Sequence, residues 1–316
     1  MKKVFGLWRR LSTSVDAFRP LSMCVDPSRQ MSAAVDRRRQ ASLFLFLPLL
    51  LLTSCSPSPE PSSPIRILSL APSLTEILFA LDPAPPLIGR TDSCDFPPEA
   101  SAIPSTGAFG EPDLERLLAL RPTHVVYVDL HNKTLPDLLR RHNIEVLHIP
   151  CDQLNDIAPA IRQLGELAKL RGKSDALATT IENSLSELRG KFPPLATRPG
   201  VFLLMWHDPL MTVGGGSFIT DLVHLAGGRN IAADTPNPYF NVSLEWVVTQ
   251  NPEMILSLVE TPPGVLRKRL SENPGWASTR AIRENRVLDT LPLDLICRPG
   301  PRILEAVEAI QQALEK

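Results

Sequence analysis

The stretch DLERLLALRPTHVV (residues 113–126) has the pattern of a short helix followed by a buried strand, and SLEWVVTQNPEMIL (residues 243–256) repeats that pattern. In both, Leu-Glu is followed by one residue, two aliphatics, three residues, a proline, two residues and an aliphatic pair. The copies begin at Leu114 and Leu244, 130 residues apart, so one structural unit occurs twice in the chain. The sequence therefore predicts two related halves.

Strands alternate with helices on both sides of each copy. The apolar runs at residues 65–70, 124–128, 146–149 and 201–206 lack the polar face of an exposed strand. Such runs favour mainly parallel sheets that helices cover on both faces. Ser73 and Glu76 predict a capping box at the start of the first helix. We therefore predict an α/β protein with two Rossmann-like lobes.

A long helical pattern separates the two halves. Apolar residues recur at helical spacing from residue 155 to residue 188, and only RGKSD interrupts them. A continuous helix of up to about 34 residues would be roughly 50 Å long. We predict that one long helix, within residues 152–191, joins an N-terminal lobe (residues 65–151) to a C-terminal lobe (residues 192–316).

The N-terminal region has the layout of a secretory signal. RRRQASLFLFLPLLLLTSCS (residues 37–56) has a basic cluster, an apolar run and small residues before Cys55. The run is too short for a comfortable membrane span. Residues 52–55 resemble a bacterial lipobox, which implies a lipid on Cys55; a plain signal peptide and a membrane anchor are the alternatives. The Pro- and Ser-rich residues that follow predict an extended tether within residues 55–64.

Residues 11–40 contain three repeated ten-residue stretches that could not pack a core. A start codon assigned too early explains them simply, and Met31 would give a signal of normal length. We expect residues 1–30 to be either not made or not structured, and residues 1–54 to be removed. Those 54 residues hold nine of the 33 Lys/Arg and three of the 34 Asp/Glu, so 24 basic and 31 acidic residues remain. No basic stripe survives, which argues against a nucleic-acid partner.

Four further motifs accompany the repeated ones: ILSLAPSLTEILFAL (residues 67–81), LIGRTDSCDFPPEA (87–100), SFITDLVHLAGGRNI (217–231) and RPGPRILEAVEAI (298–310). In this order they resemble the helical-backbone class of substrate-binding proteins of ABC importers, and the vitamin B12-binding family in particular. The resemblance implies a monomeric, lipid-anchored protein on the periplasmic side that carries cobalamin or a related corrinoid to an importer. An iron-siderophore or heme ligand is the alternative within the same class.

Glu115 and Glu245 occupy matching positions in the repeated motif. Each falls in the first turn of its helix, where the helix dipole alone favours a carboxylate by about 0.3–1 kcal/mol. The resemblance implies a second role, in which each glutamate forms salt bridges with arginines of the membrane-spanning importer subunits.

The resemblance places the ligand between the lobes, on loops that follow strands, where α/β proteins generally bind ligands. Cys94 could instead be a small buried residue, Phe109 a loop plug, and His207 either an axial metal ligand or a hydrogen-bonding histidine. Aromatic and polar side chains together suit a large amphipathic ligand. The candidate residues are Ser93, Cys94, Asp95, Phe96, Phe109, Trp206, His207, Tyr239, Phe240, Asp294 and Arg298.

Other classes of function have little support in the sequence. The six histidines are scattered, which argues against a metal site, and we predict no cofactor besides the ligand. No Gly-x-Ser-x-Gly or H-E-x-x-H motif is present, so we predict that the chain is not an enzyme. A lipid-tethered scaffold would leave the paired glutamates without a role. The pairing of Cys94, Cys151 and Cys297 stays open.

Overall fold

Two separate β-sheets organise the part of the chain described by the computed structural model, residues 64–315. The predicted signal region, the lipidation site at Cys55 and all of the tether except Pro64 lie outside these residues. From Ile65 onward the chain forms one compact unit that contains both sheets. Among the described helices, none combines the length and the apolar composition that crossing a membrane requires.

The first lobe contains a parallel four-stranded sheet. Its elements are β1 (Ile67–Ser69), α1 (Pro72–Leu81), β2 (Leu87–Arg90), β3 (Gly107–Ala108), β4 (Glu111–Pro112), α2 (Leu114–Ala119), β5 (His124–Tyr127), α3 (Leu135–Arg141) and β6 (Glu145–His148). The longer strands pair in the order β2-β1-β5-β6, and β3 and β4 form a small antiparallel hairpin. The strands and helices enclose a core that includes Leu68, Leu117, Val125 and Leu139.

The second lobe contains a mixed sheet with its own core. Its elements are β7 (Gly200–His207), β8 (Leu210–Val213), α6 (Phe218–Leu225), β9 (Arg229–Asn230), β10 (Tyr239–Asn241), α7 (Leu244–Gln250), β11 (Met254–Ser257), α8 (Val265–Ser271), α9 (Pro274–Ala277), α10 (Arg280–Arg283), β12 (Val287–Leu288), α11 (Leu293–Ile296) and α12 (Ile303–Leu314). The strand order is β10-β8-β7-β11-β12, with β9 paired to β7. Strands β7, β11 and β12 are parallel, whereas β8 and β10 are antiparallel to their neighbours. Phe202, Val247, Ile255 and Trp276 belong to the core.

The two-lobe α/β architecture agrees with the prediction, but the single long bridging helix was wrong. Two helices, α4 (Ile157–Leu167) and α5 (Arg171–Lys191), occupy this region. The chain reverses between them, where Lys169 has a φ of 60° and the Leu170 N–H donates to the Gly165 carbonyl at 2.6 Å. Both helices keep an apolar face at helical spacing, so the periodic pattern continues through the reversal.

The helices α4 and α5 pack against each other in opposite directions and together connect the lobes. Arg162 of α4 forms two hydrogen bonds of 2.7 Å with Glu182, and Arg189 near the end of α5 donates to Asn155 at 3.0 Å. Helix α4 packs on α1 of the first lobe, while α5 also contacts α6 and α12 of the second. With 21 residues, α5 is about 31 Å long and supplies most of the connection. The lobe boundaries at residues 151/152 and 191/192 stay predictions.

The first helix also begins differently from the predicted capping box. Helix α1 starts at Pro72, and its N-cap residue Ala71 makes no side-chain capping bond. Glu76 is instead buried and turned toward arginines that are distant in sequence. Proline at the first helical position stabilises the start of the helix without a capping carboxylate.

We predict that Gly165→Ala destabilises the protein by about 1–3 kcal/mol. A methyl group at this position would overlap the Ser174 side chain, where α4 and α5 are in closest contact. Gly172→Ala and Gly190→Ala are matched controls, since nothing lies within 4 Å of an added Cβ at either position. They should be neutral or stabilising by up to about 1 kcal/mol. Urea denaturation measures all three; equal effects would argue against close packing at Gly165.

Candidate functional site

A group of charged side chains joins the two lobes, and we call it the interlobe ion cluster: Glu76, Asp95, Asp294, Arg298 and Arg302. Glu76 lies on α1 and Asp95 follows β2 in the first lobe, whereas the other three come from α11 and the segment before α12. Arg298 donates to Asp95 at 2.7 Å and to Asp294 at 3.1 Å, and contacts Glu76 at 3.4 Å. Arg302 holds both carboxylate oxygens of Glu76 at 2.8 Å.

Glu76 and the two arginines of the interlobe ion cluster are largely shielded from water. The side chains of Glu76 and Arg298 are only 3% and 9% exposed. Burial works to lower the pKa of Arg298, but the hydrogen bond to Asp95 and the charges of Asp294 and Glu76 outweigh it and raise that pKa. Two cations therefore face three carboxylates, and each guanidinium group is hydrogen-bonded to at least one of them.

The loop after β2 brings two of its four predicted residues to the surface. Ser93 and Cys94 are buried, and the Cys94 sulfur lies 3.1 Å from the Thr91 hydroxyl. Asp95 joins the interlobe ion cluster, and Phe96 lies beneath the Arg302 guanidinium, 3.5 Å from its Cζ to the ring centroid. Cys94 is thus a small buried residue of this loop, which was the alternative to a ligand contact. Asp95 and Phe96 are the two predicted residues of the loop that solvent reaches.

Phe109 stands at the tip of the β3–β4 hairpin. Gly107 and Gly110 have φ values of 108° and 79°, which a residue with a side chain adopts only with strain. The Gly110 carbonyl accepts from the His131 N–H at 3.0 Å, so the tip is held against the loop that follows β5. The His131 ring pairs with Glu111 at 3.0 Å. Phe109 is half-buried there, beside the carboxyl edge of the first sheet.

In the second lobe, Trp206 and His207 lie at the end of strand β7. The indole N–H donates to the Asp208 carbonyl at 2.9 Å, and the two rings are 5.4 Å apart. Arg269 of α8 lies 3.0 Å from His207 Nε2, so this nitrogen accepts a hydrogen bond from the guanidinium. His207 is therefore a hydrogen-bonding histidine in this structure, and its Nε2 is already engaged.

Three glycines connect β8 to α6 in a closely packed turn. A Cβ at Gly214, Gly215 or Gly216 would overlap carbonyl oxygens of residues 233–237. The turn also reaches the first half of the chain, because the Gln153 side chain donates to the Gly216 carbonyl at 3.2 Å. These glycines serve close backbone packing.

Tyr239 and Phe240 lie on β10, next to that turn. The Ser217 hydroxyl donates to the Tyr239 oxygen at 3.4 Å. Burial raises the pKa of Tyr239, and the nearby Cys297 and Asp152 add to this effect. Asp152 belongs to the loop after β6, so a carboxylate from the first half of the chain acts on Tyr239.

The three cysteines within the described residues are all free. Cys94 and Cys151 are buried, and the Cys151 thiol donates to the Pro299 carbonyl at 3.0 Å across the two lobes. Solvent reaches Cys297, yet burial raises its thiol pKa to about 12. Cys297 follows α11, and its charge and that of Asp152 act on Tyr239.

Glu115 and Glu245 are both exposed, at the same position of corresponding helices. The Asp113 side chain caps α2 and the Ser243 side chain caps α7, while Leu117 and Val247 bury the opposite face. Hydrogen bonds from its own backbone N–H and from Ser243 lower the pKa of Glu245, which therefore carries its charge at neutral pH. The structure thus presents one matching carboxylate on each lobe.

Sequence reasoning missed two members of the interlobe ion cluster, Glu76 and Arg302. The signal for Glu76 was its position inside the apolar run SLTEILFAL, where a charge needs a partner. For Arg302, it was its spacing of four residues from Arg298. Between residues 64 and 315, no group of three or more His, Cys, Asp or Glu side chains is arranged to hold a metal ion.

Comparisons with known proteins agree with this geometry. The sequence profile of the family described as periplasmic binding protein matches residues 67–292. A vitamin B12-binding protein of Vibrio parahaemolyticus is 29% identical over 276 residues, which are 86% of this chain and 96% of that protein. The crystal structure of the periplasmic vitamin B12 binding protein BtuF of Vibrio cholerae has a TM-score of 0.66 and 26% identity, over 79% of this chain and 96% of BtuF.

The fold is shared with binding proteins for other ligands. The periplasmic heme binding protein HutB of Vibrio cholerae has a TM-score of 0.70 over 80% of this chain and 99% of HutB, at 22% identity. The chain belongs to the periplasmic binding protein family. It is accordingly an extracytoplasmic solute-binding protein of the ABC-importer class and a transport component rather than an enzyme. The predicted class and the prediction that it is not an enzyme are confirmed.

We predict that Glu76→Gln lowers the free energy of unfolding by about 3 kcal/mol, because Arg302 loses its charged partner in a poorly solvated place. Glu182→Gln is the matched control, since Glu182 also binds an arginine through both oxygens but is 46% exposed. It should cost less than about 1 kcal/mol. Urea denaturation of both variants tests this, and equal losses would contradict a special role for the buried carboxylate.

Proposed function

We propose that this protein captures cobalamin or a related corrinoid between its two lobes and delivers it to an ABC importer. The observation that carries the proposal is the similarity to a vitamin B12-binding protein over 96% of that protein's length. Aromatic side chains that both lobes contribute support it. Those side chains are Phe96, Phe109, Trp206, Tyr239 and Phe240.

The charges between the lobes favour a ligand with neutral polar edges. Arg298 and Arg302 are already paired with three carboxylates, so neither offers an unpaired cation to a carboxylate on a ligand. Corrinoids present amide groups around a flat macrocycle, whereas heme carries two propionates. Amides can hydrogen-bond to Asp95 and Asp294, which are the solvent-reached members of the interlobe ion cluster. Heme and ferric siderophores are therefore the second candidates.

We further propose that Glu115 and Glu245 dock the protein onto the two membrane-spanning subunits of the importer. Both carboxylates are exposed on capped helices, one in each lobe, and the repeated motif gives them equivalent surroundings. A pair of equivalent charges suits a transporter that offers one arginine group on each of two subunits. Salt bridges of this kind steer association and fix the orientation of the partners.

The remaining proposals concern the N-terminal region. We propose that the mature protein begins at Cys55, carries a lipid there, and is held near the membrane by the tether within residues 55–64. One chain would bind one ligand as a monomer, since both lobes needed to enclose it belong to the same chain. Mass spectrometry of the purified mature protein tests the lipid and the first residue directly.

Titration with cyanocobalamin, hemin and a ferric siderophore tests the ligand. We expect micromolar or tighter binding of cyanocobalamin, with quenching of tryptophan fluorescence because Trp206 lies beside the proposed site. The chromophore that remains with the protein after gel filtration identifies the ligand by its absorbance. Retention of hemin or a siderophore, with no retention of cyanocobalamin, would overturn the corrinoid assignment and leave the family assignment intact.

Charge reversal tests the docking proposal. Glu115→Lys combined with Glu245→Lys should reduce importer-dependent uptake by about tenfold or more, which corresponds to about 1.4 kcal/mol of lost docking energy. Ligand affinity should stay unchanged. Glu166→Lys with Glu187→Lys is the matched control, because both glutamates are exposed on the paired helices α4 and α5 and the charge change is identical. Uptake that survives the first double change would show that these glutamates do not dock the protein.

A further inference from the structure

Arg302 connects the interlobe ion cluster to an aromatic ring. Its Nε and Nη2 atoms each donate to the Glu76 carboxylate at 2.8 Å, and its Cζ lies 3.5 Å from the centroid of the Phe96 ring. Two parallel hydrogen bonds fix the plane of a guanidinium group. The Glu76 carboxylate on α1 therefore fixes the plane of the Arg302 guanidinium group, and the Phe96 ring packs against that plane.

Phe96 remains partly open to solvent. Although Arg302 covers one face of its ring, the residue is 37% exposed, and it is among the few large hydrophobic side chains on the described surface. An aromatic ring supported on one face and open on the other is a platform on which a flat ligand can stack. The neighbouring Asp95 belongs to the interlobe ion cluster, so the loop that carries the ring is anchored at two consecutive residues.

We propose that Arg302 is a positioning residue that holds the Phe96 ring for contact with the ligand, and that Glu76 orients Arg302 for this task. The proposal rests on the proposed function as a corrinoid-binding protein. Arg302 acts through Phe96 and does not itself touch the ligand, because its charge is already balanced by Glu76 and its flat face is against the ring.

Support of the Phe96 ring depends on how the two lobes are placed relative to each other. Glu76 and Phe96 belong to the first lobe, whereas Arg302 precedes the last helix of the second. The ring is thus supported only when the two lobes have the arrangement seen here. A ligand that stacks on Phe96 would bind more tightly when Arg302 supports the ring. Binding would therefore favour this placement of the lobes over more open placements.

A double-mutant cycle on cyanocobalamin affinity tests the proposal. Arg302→Lys keeps the positive charge but removes the planar group, and it should weaken binding by about three- to tenfold. Phe96→Leu removes the ring. In the Phe96→Leu background, Arg302→Lys should change affinity by less than about twofold, because residues that act through each other are not additive. An equal loss in both backgrounds, or no loss in the first, overturns the proposal.

A spectroscopic measurement separates this proposal from the proposed function. A fluorinated phenylalanine at position 96 should show a shifted and broadened fluorine resonance when Arg302→Lys is introduced, with or without ligand. Arg162→Lys is the matched control, since Arg162 also grips a carboxylate through two nitrogens but lies on α4. It should leave both the resonance and the affinity unchanged. If wild-type protein binds no cyanocobalamin, the proposed function is wrong. If the fluorine resonance at position 96 is unchanged by Arg302→Lys, the positioning role is wrong.

Discussion

Burial of the Glu76 carboxylate constrains how the two lobes are arranged. With 3% of its side chain exposed, this group has lost nearly all of its water and needs cations to remain charged. Both cations, Arg298 and Arg302, come from the segment before the last helix, more than 200 residues away in sequence. A movement that separated α1 from this segment would leave buried charges unpaired, which is costly. The same contacts therefore bind the lobes together and limit their independent motion.

Each lobe has a hydrophobic cluster of its own. One packs against the parallel sheet of the first lobe, and the other packs against the mixed sheet of the second. The helix pair α4 and α5 spans the distance between them, held by the close contact of Gly165 with Ser174 and by the Arg162–Glu182 pair. A helix pair resists bending better than one isolated helix, because each helix supports the other along its length. This connection suits a protein whose lobes stay close together.

The proposed ligand-binding and docking surfaces both depend on the division of the chain into two lobes. The proposed ligand site combines aromatic rings with paired charges, which would offer a flat macrocycle with amide edges both stacking faces and hydrogen-bond acceptors. The repeated helices place one carboxylate on each lobe, although Asp113 caps one helix and Ser243 the other. Different capping residues thus produce the same local geometry. Glu115 and Glu245 are therefore equivalent in their structural positions as well as in their sequence motifs.

The sequence alone determined the α/β class, the two halves and the repeated helix with its exposed glutamate. Those features depend on the periodicity of apolar residues and on local chemistry, and both can be recognised within a short segment of the sequence. Only the tertiary structure decided that the connecting helix reverses at Lys169, since an apolar face looks the same before and after a turn. It also decided that Glu76 pairs with Arg298 and Arg302 instead of capping its own helix. A buried charge takes its partner from whatever lies nearby in space, and sequence separation carries no information about that distance.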